Sequence, residues 1–169
     1  GRDYHKMMRN RIKKLGLKIQ EALLALGVLP SQSRPFVDSA PILERPLAQK
    51  AGLGWVGKHS LLLNEQSGSW FFIGELLIDL PLPIDPPSTD KCKQCVACIK
   101  SCPTNAIVDN YIVDATKCIS YLTIEHDGAI PIELRPLMGN RIYGCDDCQL
   151  VCPFNATAPL SKEHDFQIR

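Results

Sequence analysis

The sequence predicts an α+β fold in two parts: a mixed helix–strand segment over residues 1–87, then a smaller module of short helices and loops over 88–169. Three observations lead there. Apolar residues recur at helical spacing near the start, two apolar runs flank a polar glycine turn in the middle, and all eight cysteines fall between Cys92 and Cys152. At 45% apolar and 22% charged residues the composition is globular, and 169 residues can bury a core without covalent staples. A formal net charge of +1 gives no global signature for nucleic acid or membrane. No apolar run reaches bilayer length and no signal peptide opens the chain, so a cytoplasmic protein is expected. The chain opens at Gly1 inside what reads as a helix, so a fragment of a longer protein is expected.

Tyr4 to Leu29 reads as an amphipathic helix, with Ile12, Leu15, Ile19, Leu23 and Leu26 on one stripe. Its first half carries Arg2, Lys6, Arg9, Arg11, Lys13, Lys14 and Lys18 against Asp3, either a solvated face or a phosphate-contacting surface. Ser31 to Pro46 reads as extended and proline-punctuated, and a short helix over Pro46–Ala51 ends at Gly52. The runs Ser60–Leu63 and Ser69–Leu80, separated by Asn64-Glu-Gln-Ser-Gly68, predict a hairpin. Pro81, Pro83, Pro86 and Pro87 form a stiff linker and the clearest boundary.

After the linker, Cys92-Lys-Gln-Cys95-Val-Ala-Cys98-Ile-Lys-Ser-Cys102-Pro103 has the C-x2-C-x2-C-x3-C-P spacing of two-cluster bacterial ferredoxins. Three closely spaced thiolates wrap one cubane, while the fourth is expected to open a helix leading to the other cluster. Cys145-Asp-Asp-Cys148-Gln-Leu-Val-Cys152-Pro153 repeats the pattern, with its leading cysteine, Cys118, 27 residues upstream of Cys145. The cross-over rule groups Cys92, Cys95 and Cys98 with Cys152, and Cys118, Cys145 and Cys148 with Cys102. Two four-thiolate zinc sites would also use all eight cysteines, but zinc ribbons pair C-x2-C knuckles and lack the triple run. Two [4Fe-4S] clusters and a ferredoxin-like module are therefore expected.

In the first part, Gly52-Leu-Gly54-Trp-Val-Gly57-Lys58-His59-Ser60 matches neither phosphate-binding motif, because no strand precedes it and His59 stands where a P-loop needs a hydroxyl. It is either a tight turn or a loop whose bare backbone can lie against a large flat ligand. Asp38, between Pro35 and Pro41, is either an Asx-turn residue or a carboxyl held rigidly enough to donate a proton.

Together these segments resemble the epoxyqueuosine reductase family. The matching stretches are Gly1-Arg-Asp-Tyr-His5, Arg34 to Arg45, Ala51 to Ser60, the first cysteine block, Cys118 to Glu125, and Pro136 to Cys148. The resemblance implies part of a cobalamin-binding α/β domain, related to that of reductive dehalogenases, before a two-[4Fe-4S] module. It implies reduction of the epoxide of epoxyqueuosine to queuosine in tRNA with a GUN anticodon, electrons passing through both clusters to cobalamin. Asp38 matches the proton donor. Asp38, Gly57, Lys58, His59, Ile73, Ser120, Cys145 and Asp146 fall where the family contacts cobalamin, and Ser120 to Asp127 with Arg141 face cofactor and tRNA. The basic first helix, Arg135 and Arg141 could hold the phosphates of the anticodon stem. An external electron donor and a monomeric state are expected. The competing readings are a ferredoxin-like electron-transfer module of another iron–sulfur oxidoreductase and a zinc-stabilised RNA-binding protein. Family members run to about twice this length, so this chain alone is expected to lack part of the cobalamin site.

Overall fold

The computed structural model describes residues 3–29 and 31–167; Gly1 and Arg2 of the matched opening segment lie outside them. Helix α1 spans Tyr4–Ala25, capped by Asp3, whose carboxylate accepts the His5 N–H at 2.9 Å. It stops short of Leu29 because Gly27 takes φ 71 and turns the chain, with Val28 N–H donating to Leu23 O and Gly27 N–H to Leu24 O. The stripe is rotated from the expected one. Leu15 and Leu26 are exposed and Gly16 is the buried residue, since a side chain there would run into Ser33 Oγ at 2.6 Å. The missing Cβ lets the helix lie close on a strand.

That strand is β1 (Ser33–Phe36), and helix α2 (Glu44–Lys50) begins two residues before the expected Pro46. Strands β2 (Trp55–Val56), β3 (Leu62–Leu63) and β4 (Glu75–Ile78) follow. The expected hairpin between the two apolar runs does not form as a ladder. Instead β3 pairs with β2, and β4 pairs antiparallel with β1, Ser33 opposite Ile78. Only an Asn64–Gly68 bridge remains of it. The reason is side-chain competition for backbone. Asn64 Oδ1 accepts the Gln66 and Ser67 N–H groups while its Nδ2 donates to Leu53 O, which draws β3 toward β2. Past the turn, Ser69 is held by Asn155, so the following run leaves to meet β1.

Residues 81–92 contain no helix or strand. Beyond them come α3 (Ala97–Ser101), the hairpin of β5 (Ile107–Asp109) and β6 (Ile112–Val113), α4 (Ile119–Ile124), α5 (Arg135–Met138) and α6 (Asp147–Leu150). The β5–β6 hairpin was not anticipated among the short helices and loops. Cys102 differs too: it closes α3 rather than opening a helix, whereas Cys118 and Cys152 do open helical turns.

The tightest core joins the two sides of the proline-rich stretch. Trp55 and Leu63 from the first part pack on Cys92 and Cys152, and Phe154 meets the Trp55 ring edge-on at 4.8 Å. Across the same boundary Ser69 N–H donates to Asn155 Oδ1 at 2.6 Å and Ser69 Oγ to Gln149 Oε1 at 2.8 Å. A Cβ on Gly54 would lie 2.0 Å from Leu63 O, so β2 can pair with β3 only because that residue is glycine. Gly54→Ala should destabilise the protein by about 1–3 kcal/mol, as overpacking does, read as a lower midpoint in thermal unfolding followed by Trp fluorescence. An unchanged midpoint would mean that the β2–β3 pair does not support the core.

Candidate metal centre and adjoining cleft

The eight cysteines are free thiols, three of them buried and only Cys95 exposed. They line two cavities, four to each: Cys92, Cys95, Cys98 and Cys152 around one, and Cys102, Cys118, Cys145 and Cys148 around the other. Local structure makes this possible. Asp90 accepts the Cys92 N–H at 2.8 Å, and Cys95 N–H turns back to Cys92 O at 2.9 Å. Helix α3 carries Cys98 and ends at Cys102, whose sulfur accepts the Ala106 N–H at 3.2 Å. Cys118 stands at the start of α4, Cys148 within α6, and Cys152 at the turn after it.

The thiols feel one another in the same two groups. Burial pushes Cys98 up, and Cys92, Cys152 and Cys95 add to it. Cys152 rises through burial, then Cys92 and Cys95. Cys148 is pushed up to about 12 by burial and by Cys145 and Cys118, with smaller effects from Cys98 and Cys102. The Cys98 contribution makes the cavities neighbours. Four such sulfurs ionise together only around a compensating cationic centre. Among the described residues, no three His, Cys, Asp or Glu side chains converge closely enough for a single metal ion. Two groups of four thiols, in the spacing of two-cluster ferredoxins, suit polynuclear iron–sulfur clusters.

Lys58 and His59 are both buried behind the first group. Lys58 Nζ donates to Lys93 O at 2.6 Å, inside the Cys92–Cys95 loop, so this side chain lines the first thiol cavity. Burial opposes ionisation of Asp90, but hydrogen bonds from Tyr111 and Cys92, with Lys58 nearby, hold its carboxyl below the usual range. His59 borders both cavities. Its Nδ1 accepts the Leu61 N–H at 3.2 Å, and burial drives its pKa down to about 4.

The second thiol cavity also contains Ser120 and Asp146 in its wall and shares Ser60 and Leu61 with a cleft of about 670 Å³. Asp38 and Ile73 line that cleft together with Tyr4, Ile42 and Val56. Gly57 lies behind this surface, packed against Leu63 and the His59 ring. Asp38 is exposed and sits at φ 53, with its N–H donating to Glu44 Oε1 at 2.7 Å. The left-handed backbone and the Glu44 anchor hold the carboxylate out toward the cleft. There His5 Nε2 meets Asp38 Oδ2 at 2.9 Å, while His5 Nδ1 meets Asp3 Oδ1 at 2.9 Å. Tyr4, stacked on Phe72, is pushed up to about 12 by burial and then by Asp38. Burial and the neighbouring Glu44 push Glu75 up to about 7. Asp3 and His5 lie in the matched Gly1–His5 stretch, but no site role was assigned to them from sequence. Their i, i+2 spacing at a helix start was the available signal, and nothing local linked them to Asp38.

Residues 91–155 match the 4Fe-4S double cluster binding domain family. The whole chain is 69% identical to epoxyqueuosine reductase of Shewanella oneidensis and 66% identical to that of Escherichia coli, covering 43% of each, so it spans less than half the length of these curated relatives. Among solved structures, 98% of the chain superposes with TM-score 0.85 and 33% identity on 42% of an epoxyqueuosine reductase in complex with an epoxyqueuosine-modified tRNA stem loop. Among the described residues no helix is long and apolar enough to cross a membrane.

His5 is held above the ordinary histidine range, first by Asp38 and then by Asp3. With the folded value above the unfolded one, the stabilisation from these contacts is complete below about pH 6.5 and is lost as pH rises through the folded pKa. Asp38→Asn should move the His5 midpoint back toward the ordinary value in an NMR titration. An unmoved midpoint would show that the two side chains do not pair.

Proposed function

We propose that this chain is the part of an epoxyqueuosine reductase that holds its two [4Fe-4S] clusters and presents the proton-donating side of its active site. Residues 1–87 are then part of the catalytic domain and residues 88–169 the two-cluster module. The observation that carries this reading is the division of eight thiols into two four-thiol cavities, the second sharing a wall with the Asp38 cleft.

The reaction removes an oxygen atom as water, so the substrate's epoxide must receive two electrons and two protons. The thiols of Cys92, Cys95, Cys98 and Cys152 would hold one cluster and those of Cys102, Cys118, Cys145 and Cys148 the other, supplying electrons one at a time. The cleft residues fit one side of a flat macrocycle: Val56, Leu61 and Ile73 offer aliphatic surface, and Asp38 provides a carboxyl in the same cleft. His59, Ser120, Cys145 and Asp146 belong to the adjoining wall, with Gly57 packed behind it. Cobalamin bound there would supply the reduced cobalt centre that the strained ring requires.

Asp38 holds the proton for the departing oxygen, which then leaves as a hydroxyl rather than an alkoxide. His5, bridging Asp38 to Asp3, is placed to return a proton to Asp38 from the surface side. Tyr4 stays a phenol beside Asp38, since burial and the neighbouring carboxylate push it up to about 12. Glu44 holds the loop through the Asp38 N–H. The exposed cations Lys6, Arg9, Lys13, Lys14 and Lys18 of α1 can meet tRNA phosphates, whereas Arg11 is engaged with Glu163 and Asp165. The clusters take their electrons from an external donor.

In the full-length protein Asp38→Asn should leave iron, sulfide and cobalamin content unchanged and slow epoxide reduction by about 10²–10⁴-fold. Turnover like that of the parent would remove Asp38 from the chemistry. Cys102→Ala should disturb the cluster of Cys118, Cys145 and Cys148 in EPR and spare the other; damage confined to the Cys92 cluster would refute the cross-over. Titration with cob(II)alamin, followed by EPR, should show a bound cobalt signal.

A further inference from the structure

Two buried polar side chains of the first part have no role in proton delivery. Lys58 and His59 are 5% and 4% exposed. Both line the cavity bounded by Cys92, Cys95, Cys98 and Cys152. A buried lysine is uncommon because desolvating an ammonium is costly unless negative charge compensates it. Among the described residues no carboxylate forms an ion pair with Lys58, whose Nζ bonds the neutral carbonyl of Lys93. The nearby acid, Asp90, is occupied by the Cys92 N–H and the Tyr111 hydroxyl.

His59 is unpartnered in a complementary way. Because Nδ1 accepts the Leu61 N–H, the ring proton must sit on Nε2. Nε2 is buried and has no hydrogen-bond partner. The ring occupies the space that Gly57 leaves open, since a Cβ there would lie 3.1 Å from His59 Cε1. A buried N–H with nothing to donate to, in a wall made with thiols, calls for a sulfur acceptor.

We infer that Lys58 and His59 set the reduction potential of the cluster held by Cys92, Cys95, Cys98 and Cys152, raising it through a buried positive charge and an Nε2–H donor to a cluster sulfur. Reduction by one electron from the external donor makes the cluster more negative by one charge, and both groups favour the more negative state. Lys58 acts most strongly on this cluster, since its side chain lines the first cavity; His59 borders both. The inference rests on the iron–sulfur part of the proposed function and not on the epoxide chemistry.

The test is a potentiometric titration of the full-length protein, purified anaerobically with its clusters and read by EPR. Cys92→Ser, which alters one ligand of the first cluster, assigns the signals. Lys58→Met should lower the first cluster's potential by about tenfold in the redox equilibrium, close to 59 mV for one electron, and shift the second less. His59→Phe, similar in volume but without the donor, should also lower it, and Lys58→Arg should stay near the parent. Unmoved potentials with full iron and sulfide content would overturn the inference, as would a larger shift in the second cluster than in the first. Loss of the first cluster in both Lys58→Met and His59→Phe would also overturn it, because the pair would then support assembly and not potential. A parent protein without iron or sulfide would overturn the iron–sulfur reading, and this inference with it.

Discussion

The contact of Trp55 and Leu63 with Cys92 and Cys152 is the one on which the rest of the molecule depends. Among the described residues few side chains are fully buried, and Leu63 is the most enclosed of the large ones. The apolar floor under the first thiol group therefore comes from the glycine-rich loop of the other part. That arrangement ties the packing of the first part to the thiols of the second. It also explains why a two-residue strand pair matters: β2 and β3 hold Trp55 and Leu63 side by side, and the glycine at 54 permits the approach.

Electrostatics sets the second constraint. Crowded, partly buried thiols resist ionisation, as the upward shifts of Cys98, Cys148 and Cys152 record. A chain that collects four of them twice is organised for cationic centres that it does not itself provide. The surroundings differ between the two groups. The first is backed by Lys58, whereas the second has Arg141 near Cys145, and Arg141 is already paired with Asp147. The two four-thiol groups therefore sit in unequal electrostatic surroundings.

The acid side of the molecule is built on the opposite plan, with exposure in place of burial. Asp38 is presented by a left-handed residue, anchored by Glu44 and bridged by His5 to Asp3. The helix that carries Tyr4 and His5 also packs on the β1–β4 ribbon that leads into Asp38, so one helix placement determines both the cleft wall and the histidine contact. This face is open to solvent at Asp38, while the second thiol cavity lies on the far side of the Ser60–Leu61 wall.

Much of this was legible in the sequence. The cysteine spacing announced a two-cluster module, because ligand geometry is imposed by short loops and survives any fold around them. The first helix and the proline stretch could also be read locally, whereas Asp38 and the Lys58–His59 loop each allowed two readings. Strand partners could not, since Leu62 and Leu63 are equally suited to either neighbour and side-chain bonds from Asn64 and Ser69 decide between them. Nor could the helix face be read, where one glycine displaced the apolar stripe. Sequence by itself determined which atoms could bind iron, because spacing along a short loop limits where thiols can go. Only the tertiary structure decided that Lys58 backs the first cavity, that His5 meets Asp38, and that the second cavity adjoins the cleft, because contacts between distant residues depend on how the whole chain packs.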